Sequence, residues 1–117
     1  MFNISFLQKN AAALIISIST LILLFIAIHF PGTGEDGDSV QHFMFSRWAF
    51  DYPRNFYIPW AKPIYVFLTA PIAQYGFVAI KVFNVLVFGA TQYFAYLTAK
   101  KLGVSNAWLA PDRKSVV

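Results

Sequence analysis

The chain alternates between two long apolar stretches and one polar, aromatic stretch. Residues 11–30 carry no charged side chain, and 20 residues at about 1.5 Å rise per residue span about 30 Å, the thickness of a bilayer's hydrocarbon core. This pattern predicts a first transmembrane helix over 11–30, after a short N-terminus at 1–10. A cleaved signal peptide is the alternative, but its apolar core is usually about 7–15 residues long. The longer run favours the transmembrane helix.

The second apolar stretch, residues 64–99, is too long for one ordinary span. Pro71 and the pair Tyr75-Gly76 divide it into a short helix over 63–75, interfacial or re-entrant, and a second transmembrane helix over 77–99. Lys100-Lys101 and then Gly103 are typical of a helix end. By the positive-inside rule, these lysines and Lys9 predict that both outer ends are cytoplasmic. Residues 31–63 are then an external loop.

The external loop opens with helix breakers and an acidic cluster, Glu35-Asp36-Gly37-Asp38-Ser39. Asp38 or Ser39 is a suitable N-cap for an amphipathic helix over about 39–51. At about 100° per residue, its two sides differ in character. One side carries Val40, Met44, Phe45 and Trp48, and the opposite side carries Asp38, His42, Ser46 and Ala49. The pattern predicts a helix at the membrane surface, its aromatic side in the interface and its other side facing water or protein.

The composition agrees with an all-α membrane protein. Of the 117 residues, 58% are hydrophobic and 12% are charged, and the mean hydropathy is +0.57. Soluble domains carry about twice that charged fraction. The absence of cysteine excludes disulfides and thiolate chemistry. The net charge of +4 comes from scattered basic residues, so no nucleic-acid partner is expected.

Several polar residues are candidates for chemistry. Asp38 and His42 are four residues apart, so they can meet on one helix face as an acid–base pair. Alternatively, Asp38 only caps the helix and His42 is solvated. Lys62 either extends to lipid phosphates or binds a specific anion. Lys81, the one charge within the second span, shares a stripe with Asn84, Thr91 and Ala95. This stripe predicts partner helices, whereas Lys81 alone could extend to the outer interface.

The C-terminal end predicts a longer natural protein. Residues 100–111 are typical of a cytoplasmic turn followed by the start of a third helix, at Ala107-Trp108-Leu109-Ala110. The last six residues, 112–117, resemble the translation of a sequencing adapter. We therefore expect the chain to be an N-terminal fragment whose end is an artefact.

In order, these features resemble the N-terminal part of the GT-C superfamily of membrane glycosyltransferases. The likeness is greatest to the enzymes that use polyprenyl-phosphate sugars, such as protein mannosyltransferase and lipid A aminoarabinose transferase relatives. Glu35-Asp36-Gly37-Asp38 stands where the family has its acidic motif. Trp60-Ala61-Lys62-Pro63-Ile64 stands where the family often has His-Pro-Pro-Leu. The tandem acid and the His-Pro-Pro run themselves are absent.

The resemblance implies the start of a larger helical bundle in the bacterial inner (cytoplasmic) membrane. The whole protein would transfer a sugar from a polyprenyl-phosphate donor to an extracytoplasmic acceptor, and the fragment alone would be inactive. Its partners would be membrane lipid, that donor and the missing C-terminal helices. Asp38 would be the base, and Asp36 is the second choice for that role. His42 would orient Asp38. The donor phosphate would meet Lys62, Arg47, Trp60 and Lys81.

Two questions stay open on the sequence. A divalent metal held by Glu35, Asp36 and Asp38 is an option, although these oxygens supply only part of a coordination shell. The alternatives to an enzyme are a small non-enzymatic two-span membrane protein and a fragment of a transporter or flippase. A transporter would favour ionisable residues near the bilayer midplane, and the centres of both predicted spans are uncharged.

Overall fold

A computed structural model describes residues 4–32 and 37–104, and this part of the chain is all-helical. It has four α-helices: α1 (Ile4–His29), α2 (Asp38–Arg47), α3 (Pro63–Ala73) and α4 (Phe77–Lys101). Two 3₁₀ turns, Pro53–Phe56 and Pro59–Ala61, connect α2 to α3. The all-α fold class predicted from the sequence is confirmed for these residues.

Two helices are long and apolar enough to cross a membrane by length and composition. They are Asn10–His29 within α1, 20 residues, and Phe77–Lys101, 25 residues. In its most apolar part, the first of these helices is only 11% buried within the protein and the second only 17%. Helix α1 extends further toward the N-terminus than the predicted span because residues 4–10 contain no glycine or proline to stop it. Helix α4 includes Lys100 and Lys101 in its last turn, where cations are favourable.

The chain divides into two compact units. The first comprises residues 1–25 and 85–117. In its described part, α1 and α4 approach closely at Gly89, where a Cβ atom would lie 2.9 Å from the Oγ1 atom of Thr20. Next to this contact, the Ser19 hydroxyl donates to the Oε1 atom of Gln92 over 3.0 Å, and Gln92 is buried. Small and polar residues therefore make this helix–helix contact.

The second unit comprises residues 26–84, and α2 packs on α3 within it. Its buried centre consists of small residues and one valine: Ala49, Ala61, Val66 and Ala70, with Phe45, Phe56 and Ile58 packed around them. At the same contact, the fully buried hydroxyls of Ser46 and Thr69 lie 2.7 Å apart. Small side chains allow the two helices to approach closely, and the rings close the edges of the core.

Helix α2 differs from its prediction at both ends. It ends at Arg47 rather than at about residue 51, because Ala49 N–H bonds to the Ser46 carbonyl three residues back and this tighter turn places Ala49 in the core. At its start the N-cap is Gly37, with φ 24°, and not Asp38 or Ser39. Asp38 lies in the first turn, and no side-chain cap hydrogen bond forms.

The two sides of α2 mostly follow the predicted division. Val40, Met44 and Trp48 are exposed, whereas Ser46 is buried against α3. Protein therefore covers Ser46 and Ala49 on the small-residue side, whereas Asp38 at its start is exposed. Phe45 departs from the prediction because it packs against the core instead of lying on the open aromatic side.

Helix α3 matches the predicted short helix except that it ends at Ala73. Pro71 lies inside it and does not break it, because it falls in the last turn and removes only one hydrogen bond there. The break before α4 comes at Gly76, whose φ of 102° is accessible mainly to glycine.

Candidate functional site

An open groove of about 410 Å³ runs along α2, on the side of the helix that faces the loop after it. Its lining combines rings, amides, a thioether and a guanidinium: Gln41, Met44, Phe45, Trp48, Tyr52, Arg54 and Asn55. Three lining residues of α2 and Trp48, the residue after its end, recur at spacings of three and four, so they share one face of the helix. The groove is therefore built from local sequence, by one helix and the turn that folds back on it.

Asn55 holds the wall of the groove opposite α2. Its side-chain Nδ2 donates to the Phe45 carbonyl over 3.4 Å, and its backbone N–H bonds to the Tyr52 carbonyl over 2.9 Å. Asn55 is almost fully buried. Pro53 begins the 3₁₀ turn that carries Arg54 and Asn55. This anchoring gives the neighbouring Arg54 side chain a fixed base.

The chemistry of the groove suits a ligand with both an apolar face and a polar or anionic group. The rings of Trp48 and Tyr52 are 43% and 59% exposed and offer stacking surface. Gln41 and Arg54 are exposed and can donate hydrogen bonds. A guanidinium binds phosphate or carboxylate groups with paired hydrogen bonds.

Asp38 does not line this groove but precedes its first lining residue on α2. It lies three residues before Gln41, so the two side chains are about 5–6 Å apart at Cβ on the helix surface. Asp38 is exposed. Within the described residues, neither a hydrogen bond nor an ion pair joins it to His42, so the predicted acid–imidazole pair does not form.

His42 faces α3 instead. Its ring packs edge-on against Tyr65, with centroids 6.2 Å apart and planes at 70°. Its Nδ1 atom is buried and has no hydrogen-bond partner among the residues that the structure describes. His42 is therefore a packing residue between helices and does not line the groove.

Arg47 also points away from the groove. Its guanidinium donates to Gln74 Oε1 and lies 5.7 Å from the Trp48 ring centroid. Gln74 returns a hydrogen bond from Nε2 to the Arg47 carbonyl over 3.1 Å. This reciprocal pair joins the end of α2 to the end of α3, which is a structural role.

Lys81 binds the end of α1. Its Nζ donates to the Phe30 carbonyl over 2.8 Å and lies 5.6 Å from the Phe77 ring centroid. A cation is favourable there because the last carbonyls of a helix carry partial negative charge. Lys81 is thus a helix cap in this structure and is not directed at the groove.

The rest of the polar stripe on α4 also finds partners within the chain. Asn84 exchanges hydrogen bonds of 3.3–3.4 Å with the Tyr65 hydroxyl. The Thr91 hydroxyl donates to the Val87 carbonyl, four residues back, over 2.8 Å. The stripe therefore does not by itself require the additional partner helices that the sequence pattern suggested.

Trp60 and Lys62 lie on the connection into α3. Both are exposed, and neither lines the groove. Lys62 has φ 54° and ψ 81°, a left-handed conformation, at the junction between the second 3₁₀ turn and Pro63.

The remaining predicted elements fall outside the described residues. Glu35 and Asp36 are among them, as are the start of a third helix after residue 104 and the six terminal residues. Within 4–32 and 37–104, no group of three or more metal-ligating side chains comes together.

The sequence pattern assigned no role to four of the groove residues, Gln41, Tyr52, Arg54 and Asn55. A signal was available, since Arg54-Asn55 follows Tyr52-Pro53 and Pro at the start of a turn fixes where the next side chains point. Comparison with known proteins gives no relative: no family model, curated protein or solved structure matches the chain.

Proposed function

We propose that the chain is the N-terminal part of a GT-C-type membrane glycosyltransferase, which moves a sugar from a polyprenyl-phosphate donor to an extracytoplasmic acceptor. The groove along α2 carries the proposal. It combines stacking rings, an anion-binding guanidinium and amide donors. The exposed carboxylate of Asp38 lies three residues before Gln41 of its lining. It belongs to a folded unit that connects two helices long enough to cross a membrane.

In this reaction the acceptor hydroxyl oxygen attacks the anomeric carbon of the sugar. A new C–O bond forms, the bond from that carbon to the phosphate oxygen breaks, and the phosphate leaves with the electron pair. Asp38 accepts the hydroxyl proton as general base. Arg54 stabilises the charge that develops on the phosphate. Arg54 thereby takes the role that the family resemblance implied for Arg47, Lys62 and Lys81.

The proposed location is the bacterial inner membrane. Lys9, Lys100 and Lys101 support a cytoplasmic N-terminus and a cytoplasmic end of α4, because basic residues are in excess on the cytoplasmic side of membrane spans. Residues 31–63, with α2 and the groove, are then extracytoplasmic. A lipid-linked sugar would meet the groove at the outer surface of the membrane.

The role of Asp38 is tested by measuring sugar transfer with the product of the complete reading frame. Asp38→Asn should lower the transfer rate by about 10²–10⁴-fold, the usual contribution of a general base. Asp51→Asn is the matched control, because Asp51 is the other exposed carboxylate of the described residues and has no proposed part in the transfer. Near-normal transfer by the Asp38→Asn protein would exclude Asp38 as base and leave Asp36 as the next candidate.

The role of Arg54 is tested by binding. The purified chain in nanodiscs is titrated with undecaprenyl phosphate, and Trp fluorescence reports occupancy. Arg54→Gln should weaken binding by about 10-fold or more, since a hydrogen bond to a charged group contributes about 1.5–3 kcal/mol. Lys62→Gln is the comparison, because the family resemblance implied that Lys62 binds the donor phosphate. A larger loss with Lys62→Gln than with Arg54→Gln would move the phosphate site away from the groove.

A second candidate is a small two-span membrane protein without enzymatic activity. The partners that Lys81 and Asn84 find within the chain favour it, because these residues then need no further helices. On this alternative, undecaprenyl phosphate would bind no better than a bilayer lipid such as phosphatidylglycerol, and Arg54→Gln would change nothing. The same titration therefore distinguishes the two functions.

A further inference from the structure

Helix α3 has two different sides. One side packs on α2 and is buried: Val66, Thr69, Ala70 and Ala73. The other side carries Ile64, Phe67 and Leu68, and Ile64 is 79% exposed. Helix α3 contains no charged residue. Such an apolar exposed side is unfavourable in water.

The apolar side of α3 continues onto the first 3₁₀ turn and the residue after it. The centroid of the Phe67 ring lies 4.7 Å from that of Phe56 and 6.4 Å from that of Tyr57. Tyr57 and Trp60 are themselves exposed. The result is one aromatic surface with Lys62 at its edge, a composition typical of the membrane interface.

The chain connection places this surface where a bilayer would begin. Three residues, Gln74-Tyr75-Gly76, join α3 to α4, so the two helix ends are at most about 14 Å apart. Lys81, near the start of α4, bonds to Phe30, the residue after α1. The adjoining ends of both membrane-length helices therefore meet at one level, and α3 is attached there.

Helix α3 is not suited to cross the hydrocarbon core. Its 11 residues span about 16 Å, about half the core thickness. Pro71 has no N–H to donate to the Phe67 carbonyl, and an unsatisfied backbone carbonyl in hydrocarbon costs several kcal/mol. Both facts favour a position in the interface, parallel to the surface.

The outer side of α2 has a different character, since its groove contains Gln41, Arg54 and Asn55. We infer that α3 lies in the lipid interface with Ile64, Phe67 and Leu68 toward the acyl chains and Lys62 at headgroup depth. The α2 groove then opens on the aqueous side of the headgroup layer. The occupant of the apolar side is the lipid bilayer, and this holds whether or not the protein transfers sugar. It reverses the expectation that the aromatic side of α2 lies in lipid.

The test uses single-tryptophan variants of the chain in vesicles of equal parts phosphatidylcholine and phosphatidylglycerol. One variant places tryptophan on α3 by Leu68→Trp, with the three native tryptophans changed to phenylalanine. The other keeps only Trp48, on the exposed side of α2. Lipid brominated in the upper acyl chain should remove roughly half or more of the emission at position 68, because an interfacial helix buries its apolar side about 5–10 Å deep. Trp48 should instead be quenched by iodide in the aqueous phase.

Three outcomes would overturn the inference. Stronger lipid quenching of Trp48 than of position 68 would place α2 in the bilayer. Iodide quenching at position 68 would place α3 in water. Quenching by neither agent would mean that protein covers α3. Should Leu68→Trp fail to fold by circular dichroism, Ile64→Trp probes the same side at its most exposed position.

Discussion

At the residue scale, the hydroxyls of Ser46 and Thr69, at the contact between α2 and α3, make three close polar contacts but carry only two hydrogens. Thr69 donates to the Tyr65 carbonyl over 2.6 Å, and Ser46 reaches both the His42 carbonyl at 3.1 Å and Thr69 Oγ1 at 2.7 Å. Since two hydroxyls have two hydrogens, the shorter contacts leave Ser46 as the donor to Thr69. The pair is thus a direct bond between helices in a fully buried site.

We expect Ser46→Ala and Thr69→Val each to lower the free energy of unfolding by about 0.5–1.5 kcal/mol, because each removes this bond. The double variant should lose less than the sum, since the shared bond can be lost only once. Thermal unfolding in detergent, followed by near-ultraviolet circular dichroism, measures all three. Thr91→Val is the control, because its hydroxyl bonds only to its own helix. Strict additivity would show that the hydroxyls do not interact.

Lys62 holds a backbone conformation that L-residues adopt at a cost of about 1–2 kcal/mol. The following Pro63 restricts it further. Lys62→Gly should therefore leave the free energy of unfolding unchanged or raise it by up to about 1 kcal/mol. Lys100→Gly, within helix α4, should lower it by about 1 kcal/mol. A comparable loss from both variants in the same unfolding measurement would contradict the left-handed conformation of Lys62.

The sequence indicated which residue types are polar but not which ones meet. Arg47 and Gln74 are 27 residues apart, and Lys81 and Phe30 are 51 apart. Helical spacing governs only neighbours three and four residues apart, so it could not pair these residues. It suggested instead that Asp38 meets His42, and tertiary packing against Tyr65 turns His42 the other way.

At the scale of elements, the contact between α1 and α4 depends on the absence of a side chain at Gly89. Gly89→Ala would place Cβ 2.9 Å from Thr20 Oγ1 and 3.5 Å from its Cγ2. We expect this variant to lower the unfolding temperature, because one of two packed helices must shift.

Combining Gly89→Ala with Thr20→Ala should restore part of the loss, since the second change removes both contacting atoms. Gly89→Leu should destabilise further, and Thr20→Ala should not rescue it. Thermal unfolding in detergent of Thr20→Ala, Gly89→Ala, Gly89→Leu and the two double variants is the measurement. If Thr20→Ala and Gly89→Ala act independently, the two positions do not touch.

Helix positions followed well from the apolar pattern, and helix ends followed where proline or glycine fixes them. Pro63 begins α3, and Gly76 precedes α4, as the sequence predicted. The end of α2 could not be predicted from its apolar spacing. The tighter turn that ends it is stabilised by burying Ala49 against α3, which is a tertiary effect.

At the scale of the whole molecule, the lack of cysteine permits a clean test of topology. We expect Asp51→Cys to react with a membrane-impermeant maleimide in intact spheroplasts. Val104→Cys, just after α4, should react only after lysis. An N-terminal tag retained on the mature chain would exclude cleavage of α1 as a signal sequence. The opposite labelling pattern would reverse the orientation, and labelling of both sites before lysis would contradict two spans.

The global class was accessible from sequence because it depends on composition and on run length. Few charges and two long apolar runs are sufficient to predict an all-helical chain with two membrane-length helices. The groove was not accessible in the same way. It depends on how the turn at 53–56 folds back on α2, and a buried amide of Asn55 makes that connection.

The bond between Ser19 and Gln92 has a consequence for biosynthesis. These residues are 73 positions apart, and translation at about 5–20 residues per second separates them by about 4–15 s. During that interval α1 exists without its partner. In that interval the one hydrogen of the Ser19 hydroxyl can bond to the Ile16 carbonyl, which lies 3.1 Å away within the same helix. Helix α1 can therefore be made and held with that hydroxyl satisfied until α4 emerges from the ribosome.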